Sequence, residues 1–344
     1  MLSFIKDKKK GPRVLAGVAA LTALPFLIQL VVGNDYWVMI CSIMLLYTIA
    51  VSGLDILFGY SGQISLGHAA FFVIGAYTTG LLNNYFGIPL IFTIPLGAIL
   101  SAAIGALLAY PASKLKFHFL SLATIAFGEI VYNFLYVSPG GFTGDYLGMD
   151  AINIGFLTSY TGWYFFLLVI CVLALLGKHS LIHSRTGRAF IAIRENTHAA
   201  DGMGVDVRKS KIVAFAVSAF YTGLSGALFV HLIKYISPET GKQKQSVLFL
   251  TMLLFGGTGS MAGPIIGVVL VEILLEIIRP LQEYQMLLYG ILLLIVIIGL
   301  PGGIYGGLKD LIDSYERKKM ARLVAARTKA GTPEKGKKDG DNNA

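Results

Sequence analysis

Apolar runs of about 20 residues recur along this chain with little polar sequence between them, and that is the length an α-helix needs to cross roughly 30 Å of hydrocarbon. They fall at 13–32, 37–58, 64–82, 88–110, 115–137, 162–176, 211–233 and 287–300. A backbone in lipid must satisfy its own N–H and C=O groups, and runs of this length do so as helices. The predicted fold class is therefore all-α, a polytopic transmembrane helical bundle. Composition agrees, because 55% of the 344 residues are hydrophobic and only 14% are charged, whereas roughly a quarter are charged in a soluble domain.

The net charge of +9 invites a nucleic-acid reading, so the placement of the basic residues decides. They cluster at Lys6, Lys8, Lys9, Lys10 and Arg13, at Lys114 and Lys116, between Lys178 and Lys211, and in the tail from Lys309; only Lys234, Lys242, Lys244 and Arg279 lie elsewhere. Short basic loops between apolar runs are the pattern of the cytoplasmic side of a membrane. The expected partner is therefore a lipid bilayer, with no nucleic acid.

Counting from an inside start puts Lys114 and Lys116 inside, the loop 138–161 outside, and both termini inside. The organisation predicted is a basic cytoplasmic N-terminus over 1–12 and a transmembrane domain over 13–308. A cytoplasmic segment over 178–210 interrupts that domain, and a basic tail over 309–344 is too poor in large apolar residues to fold. The first run has no small-residue cleavage site after it and reads as a retained helix. Cys41 and Cys171 lie inside apolar runs without metal-site spacing, so no metal and no cofactor is expected.

Two glycine clusters interrupt the apolar pattern. The piece 245–279 is broken at Gly256-Gly257-Thr258-Gly259-Ser260 and again at Gly263-Pro264; a second break, Gly59-Tyr60-Ser61-Gly62-Gln63, precedes the third run. The broken piece returns to the side it came from, as two crossings or as a re-entrant pair, giving about eight to ten membrane segments. Unwound backbone at membrane depth survives where it lines a cavity or is buried in protein, so matched breaks point to a substrate path. The alternative is that the glycines only allow close helix packing.

The candidate path residues are Ser61, Gly62, Gln63, Ser65 and His68 around the first break, with Gly257 and Thr258 at the second. Glu129, in the middle of its run, joins them because a carboxylate there is costly unless it faces water or a partner. A hydrogen bond to a neighbouring helix is its structural alternative. Glu272, Glu276 and Arg279 share a helix face at ion-pair spacing near the membrane edge.

Within 178–210, Phe190, Ile193, Thr197 and Ala200 fall on one helical face, Arg188, Glu195 and Asp201 fall elsewhere, and Gly202 and Gly204 end the helix. This amphipathic helix has too little apolar surface to bury itself. It is expected to lie on the lipid surface or to dock into a partner. No nucleotide-binding loop is present: the candidate at Gly241-Lys242 has Ile236 in place of the leading Gly and Gln243 in place of Ser or Thr. No hydrolase triad or zinc motif occurs either, so the chain is not expected to be an enzyme.

Four stretches taken in order, GYSGQISLGHAAFFVIGAY from Gly59, RTGRAFIAIRENTHAADGMGVDVRKSKIVAFAVSAFYTGLSGAL from Arg185, FGGTGSMAGPIIG from Phe255 and GLPGGIYG from Gly299, resemble the M-type membrane permease of branched-chain amino acid ABC transporters. The resemblance implies an importer of the bacterial or archaeal cytoplasmic membrane that works by alternating access. It implies three kinds of company: a second related permease, two cytoplasmic ATPase subunits, and a periplasmic or lipid-anchored substrate-binding protein.

Glu195, Ala199, Ala200, Gly202 and Gly204 resemble the family's coupling helix. With Arg188, Phe190 and Ile193 they form the expected ATPase-coupling set, Phe190 and Ile193 entering the ATPase cleft. The loop from Pro139 to Asp145 is only loosely like the family's glycine-rich version, which leaves urea or short amides as alternative substrates. An ion-coupled secondary transporter using Glu129 or a histidine is the competing function. A haem protein on His68 and His118 lacks a second histidine at helical spacing from either.

Overall fold

The computed structural model describes residues 35–113, 117–151, 159–284 and 303–307, with single positions at 287, 290, 291 and 294. The expected first span over 13–32, most of the last over 287–300, the termini and the side chain of His118 lie outside the described residues.

Among the described residues, five helices are long and apolar enough to cross a membrane. They are α1 (Asp35–Asp55), which runs on through a wider π turn over Ile56–Tyr60, α3 (Leu90–Ala112), α4 (Phe117–Tyr136), α5 (Tyr160–His183) and α8 (Val207–Ile233). Helix α2 (His68–Phe86) falls outside that set although its run is predicted as a span. The physical reason is its setting: from His68 to Asn83 most of it is buried against protein, so it need not be apolar all round. A two-residue antiparallel ladder, β1 (Met149–Asp150) with β2 (Tyr235–Ile236), ties the loop after α4 to the end of α8.

Helix α8 is the central post, packed on α1, α2 and α3. Small residues make this possible. A Cβ at Gly75 would lie 2.1 Å from the carbonyl oxygen of Gly223, and one at Gly226 would lie 1.8 Å from that of Phe72, so α2 and α8 touch backbone to backbone. Such contacts replace the hydrophobic drive that lipid cannot supply between helices. Exposed apolar side chains such as Leu107 on α3, Ile130 on α4 and Leu173 on α5 are normal for a surface solvated by acyl chains.

The broken piece 245–279 forms two short helices, α9 (Gln243–Gly256) and α10 (Gly263–Ile278). At 14 and 16 residues they extend only about 21 and 24 Å. They lie antiparallel in close contact, since a Cβ at Gly256 would meet the Gly263 carbonyl and one at Gly267 the Met252 carbonyl, each at 1.8 Å. At its far end α10 returns to the start of α1, where Tyr36 donates to Glu276 at 2.8 Å and Arg279 pairs with the same carboxylate at 3.3 Å. The ion pair expected from spacing is present.

Segment 178–210 departs from expectation. Helix α5 continues to His183, so Lys178 is inside the bundle rather than at the start of a hydrophilic loop. Helix α6 (Arg185–Glu195) and helix α7 (Thr197–Gly202) follow, separated by Asn196 in extended backbone with its Oδ1 accepting from His198 and Ala199 N–H at 3.0 Å. The apolar stripe does bury itself: Phe190, Ile193 and Ala200 are covered by the rest of this chain, where they reach the bundle's end instead of standing free.

Candidate functional site

The two glycine breaks, some 200 residues apart in sequence, meet in space. The first begins where α1 unwinds: Ser61 N–H donates to the Ile56 carbonyl at 3.2 Å and Gln63 N–H to the Leu57 carbonyl at 3.0 Å, both longer steps than an α-helix makes. The second is the turn between α9 and α10. Asp55, in the last turn of α1, accepts the Gly259 N–H on Oδ1 at 2.7 Å. A Cβ at Gly59 would lie 2.0 Å from that same oxygen and 2.5 Å from the Gly259 nitrogen. Only glycine allows this approach. A third glycine segment closes the group, because a Cβ at Gly303 would sit 2.4 Å from the Gly257 backbone.

Two cations hold the junction. Lys178 of α5 donates to Asp55 Oδ2 at 2.7 Å, with neither side chain exposed at all, and also to the Ser260 carbonyl at 3.2 Å. Its ammonium lies 5.7 Å from the centre of the Tyr60 ring, a cation–π distance. Arg194, near the end of α6, donates through Nη1 to the Gly59 carbonyl, which the unwinding of α1 leaves free. Taking two charges from water costs several kcal/mol each, and here the ion pair plus two further hydrogen bonds offset it. Asp55, Lys178 and Arg194 were not among the sequence candidates. Asp55 closes an otherwise apolar run and Lys178 imitates a loop charge, so the available signal was an acid and a base that each interrupt a membrane run.

The predicted path residues divide into three groups. Ser61, Gln63, Ser65 and His68 are buried and bonded within the chain. Ser61 Oγ donates to the Leu57 carbonyl at 2.9 Å, Gln63 Nε2 to Ser61 Oγ at 2.8 Å, and the two ring nitrogens of His68 meet Ser65 Oγ at 2.8 Å and Ser218 Oγ at 2.7 Å. Gly62 takes a left-handed φ of +70° against Arg194, while Gly257 and Thr258 belong to the junction itself. Glu129 stands apart. It is exposed on α4, the span with the smallest buried share of the five, and a Cβ on the residue before it, Gly128, would lie 3.7 Å from the Gly67 Cα.

Of the predicted coupling residues, Arg188, Glu195, Ala199, Gly202 and Gly204 are exposed, whereas Phe190, Ile193 and Ala200 face inward. The outward surface of α6 and α7 adds Ile191, 39% exposed, and Met203, 86% exposed. Among the described residues no group of acids, histidines and cysteines could hold a metal ion. An apolar cavity of about 270 Å³ between α2, α3 and α4 is lined by residues such as Tyr77, Thr78, Phe127 and Phe134, and it contains none of the predicted path residues.

Comparison with known proteins matches residues 36–297 to the family described as the permease component of branched-chain amino acid transport systems. The high-affinity branched-chain amino acid transport system permease protein LivM of Escherichia coli K12 is 31% identical, the match covering 77% of this chain and 69% of that one. The probable branched-chain amino acid transport permease protein LivM of Methanocaldococcus jannaschii is 27% identical over 81% of this chain and 95% of its own. The autoinducer 2 import system permease protein LsrC of Yersinia enterocolitica is 27% identical over 55% and 51%. No solved structure matches.

Proposed function

Because the chain belongs to the permease family of branched-chain amino acid transport systems, we propose that it is the membrane subunit of an ATP-driven importer of branched-chain amino acids. It works beside a second permease, two ATPase subunits and a substrate-binding protein, with α6 and α7 on the cytoplasmic side and both termini there as well. The observation that carries this reading is the match over residues 36–297 to a permease family, in a multi-pass chain without a nucleotide loop of its own. Energy must then arrive through a surface.

That surface is the outward edge of α6 and α7. Glu195, Ala199, Gly202 and Met203 are exposed there, and a large apolar side chain standing free on a polar element is suited to a partner's pocket. The apolar face once expected to enter the ATPase is instead the anchor that fixes α6 to the bundle. Met203→Asp therefore releases the ATPase subunits, or lowers their affinity on the order of tenfold or more, while leaving the chain in the membrane.

Glu129 supplies the second element. A carboxylate with no side-chain partner among the described residues, on the open face of a spanning helix, is costly against lipid, so it faces an aqueous path shared with the second permease, where it meets the substrate's ammonium group. The function as a whole is tested in proteoliposomes containing the full complex. Radiolabelled leucine should enter only with ATP and binding protein, and a protonophore should leave uptake unchanged. Uptake driven by an ion gradient without ATP would replace this reading with a secondary transporter. Entry of urea or another solute in preference to leucine would keep the machinery and change the substrate.

A further inference from the structure

Lys178 and Arg194 stand on opposite sides of one corner. Helix α5 ends at His183 and α6 begins at Arg185; Lys178 lies before the corner, Arg194 after it. Both side chains end on the same two glycine breaks. Lys178 reaches Asp55, which holds the Gly259 N–H, and the Ser260 carbonyl, while Arg194 reaches the Gly59 carbonyl and passes 3.1 Å from where a Gly259 Cβ would be.

Stability does not explain this arrangement, since apolar replacements for a buried ion pair are commonly neutral or better. Its specificity does. The cations bind backbone groups that only an unwound segment offers, and the breaks touch each other without an intervening side chain, so there is little slack for motion to be absorbed. A packed junction of this kind shifts as a unit between discrete arrangements rather than deforming gradually.

We infer that this clasp carries movement of α6 into the membrane domain, with Arg194 and Lys178 as positioning residues that make both glycine breaks follow the α5–α6 corner. The inference rests on the reading that α6 and α7 receive the ATPase. Arg194 is the accessible half of the clasp, being exposed apart from its bond to Gly59.

The test uses the full complex in proteoliposomes and reads substrate imported per ATP hydrolysed. Arg194→Met should retain bound ATPase subunits and basal hydrolysis, yet lose coupling by tenfold or more; wild-type coupling would overturn the inference. If Arg194→Met is not recovered from membranes, Arg194→Lys, which keeps the charge but not the planar fork, is measured in its place against the same two outcomes.

A covalent tether provides the converse. A Cβ at Gly62 would lie 3.4 Å from Arg194 Cβ, close to the span of a disulfide. In a background with Cys41 and Cys171 changed to Ala, Gly62→Cys with Arg194→Cys should be uncoupled when reduced and recoupled when oxidised. Two sulfurs joined by loss of two electrons and two protons to an added oxidant such as a copper–phenanthroline complex would then stand in for the lost hydrogen bond. Failure of the oxidised form to recouple would overturn the clasp. Failure of the docking reading looks different, because Met203→Asp would then keep both the ATPase subunits and coupling at wild-type levels.

Discussion

Two carboxylates in membrane helices, Asp55 and Glu129, are treated in opposite ways. Asp55 is fully enclosed, with an ammonium on one oxygen and a backbone N–H on the other; Glu129 stands exposed on α4, and among the described residues it is its backbone carbonyl that takes a partner, Asn133 at 2.8 Å. The first charge is satisfied by the fold. The second has no side-chain partner among the described residues, and the proposed function gives it one outside them. In lipid an unmet charge is expensive, which makes exposure on a spanning helix a sign of a neighbouring path or subunit.

The largest effect that would break this comparison is at the enclosed pair. Lys178→Met leaves Asp55 buried without its cation and should cost about 3–5 kcal/mol, read as loss of membrane yield and of thermal stability in detergent. Adding Asp55→Asn removes the orphaned charge but keeps an oxygen for Gly259, and should recover most of the loss. If the double variant were as unstable as the single one, charge pairing would not be what Asp55 and Lys178 supply.

Next in size is Gly59→Ala, whose methyl would stand 2.0 Å from Asp55 Oδ1 and 2.5 Å from the Gly259 nitrogen. Overpacking against backbone should cost about 1–3 kcal/mol, seen as a lowered unfolding temperature. Gly202→Ala serves as its control, because nothing lies within 4 Å of a Cβ there. Equal effects at the two positions would mean that the breaks do not touch as described.

Glu129→Gln sharpens the other side of the comparison. Stability should change by less than about 0.5 kcal/mol, as for an exposed surface position, while uptake falls on the order of tenfold, equivalent to about 1.4 kcal/mol. Unchanged uptake would return Glu129 to a passive surface role. The smallest effect is at the hinge of the polar element: Asn196→Ala removes the cap of α7 and should cost about 1 kcal/mol, detectable as faster hydrogen exchange confined to 197–204 with the bundle unaffected.

Much of this protein was legible from local sequence. The runs at 37–58, 88–110, 115–137 and 211–233 correspond to α1, α3, α4 and α8 because lipid imposes length and apolarity on each segment separately, and no knowledge of neighbours is needed to read them. The glycine breaks were visible for a similar reason, since glycine clusters interrupt a helix wherever they stand. The N-terminal side of α6, with its stripe at Phe190 and Ile193, was also correctly read as an amphipathic helix.

What the sequence could not decide was which partner each surface would find. The stripe on α6 reads as a face for the lipid surface or a partner, and it is covered by the chain's own bundle, since periodicity reports that a face is apolar without reporting what covers it. Lys178 reads as a loop residue by composition, and only the approach of Asp55 from α1, 123 positions earlier, makes its burial tolerable. Likewise, each break was apparent alone, but their contact depends on α9 and α10 folding back as short antiparallel helices so that Gly259 reaches the end of α1. Lipid selects helices one at a time through transfer energy along the chain; the pairing of charges and of backbones between distant helices is a property of the packed bundle, and it was settled there.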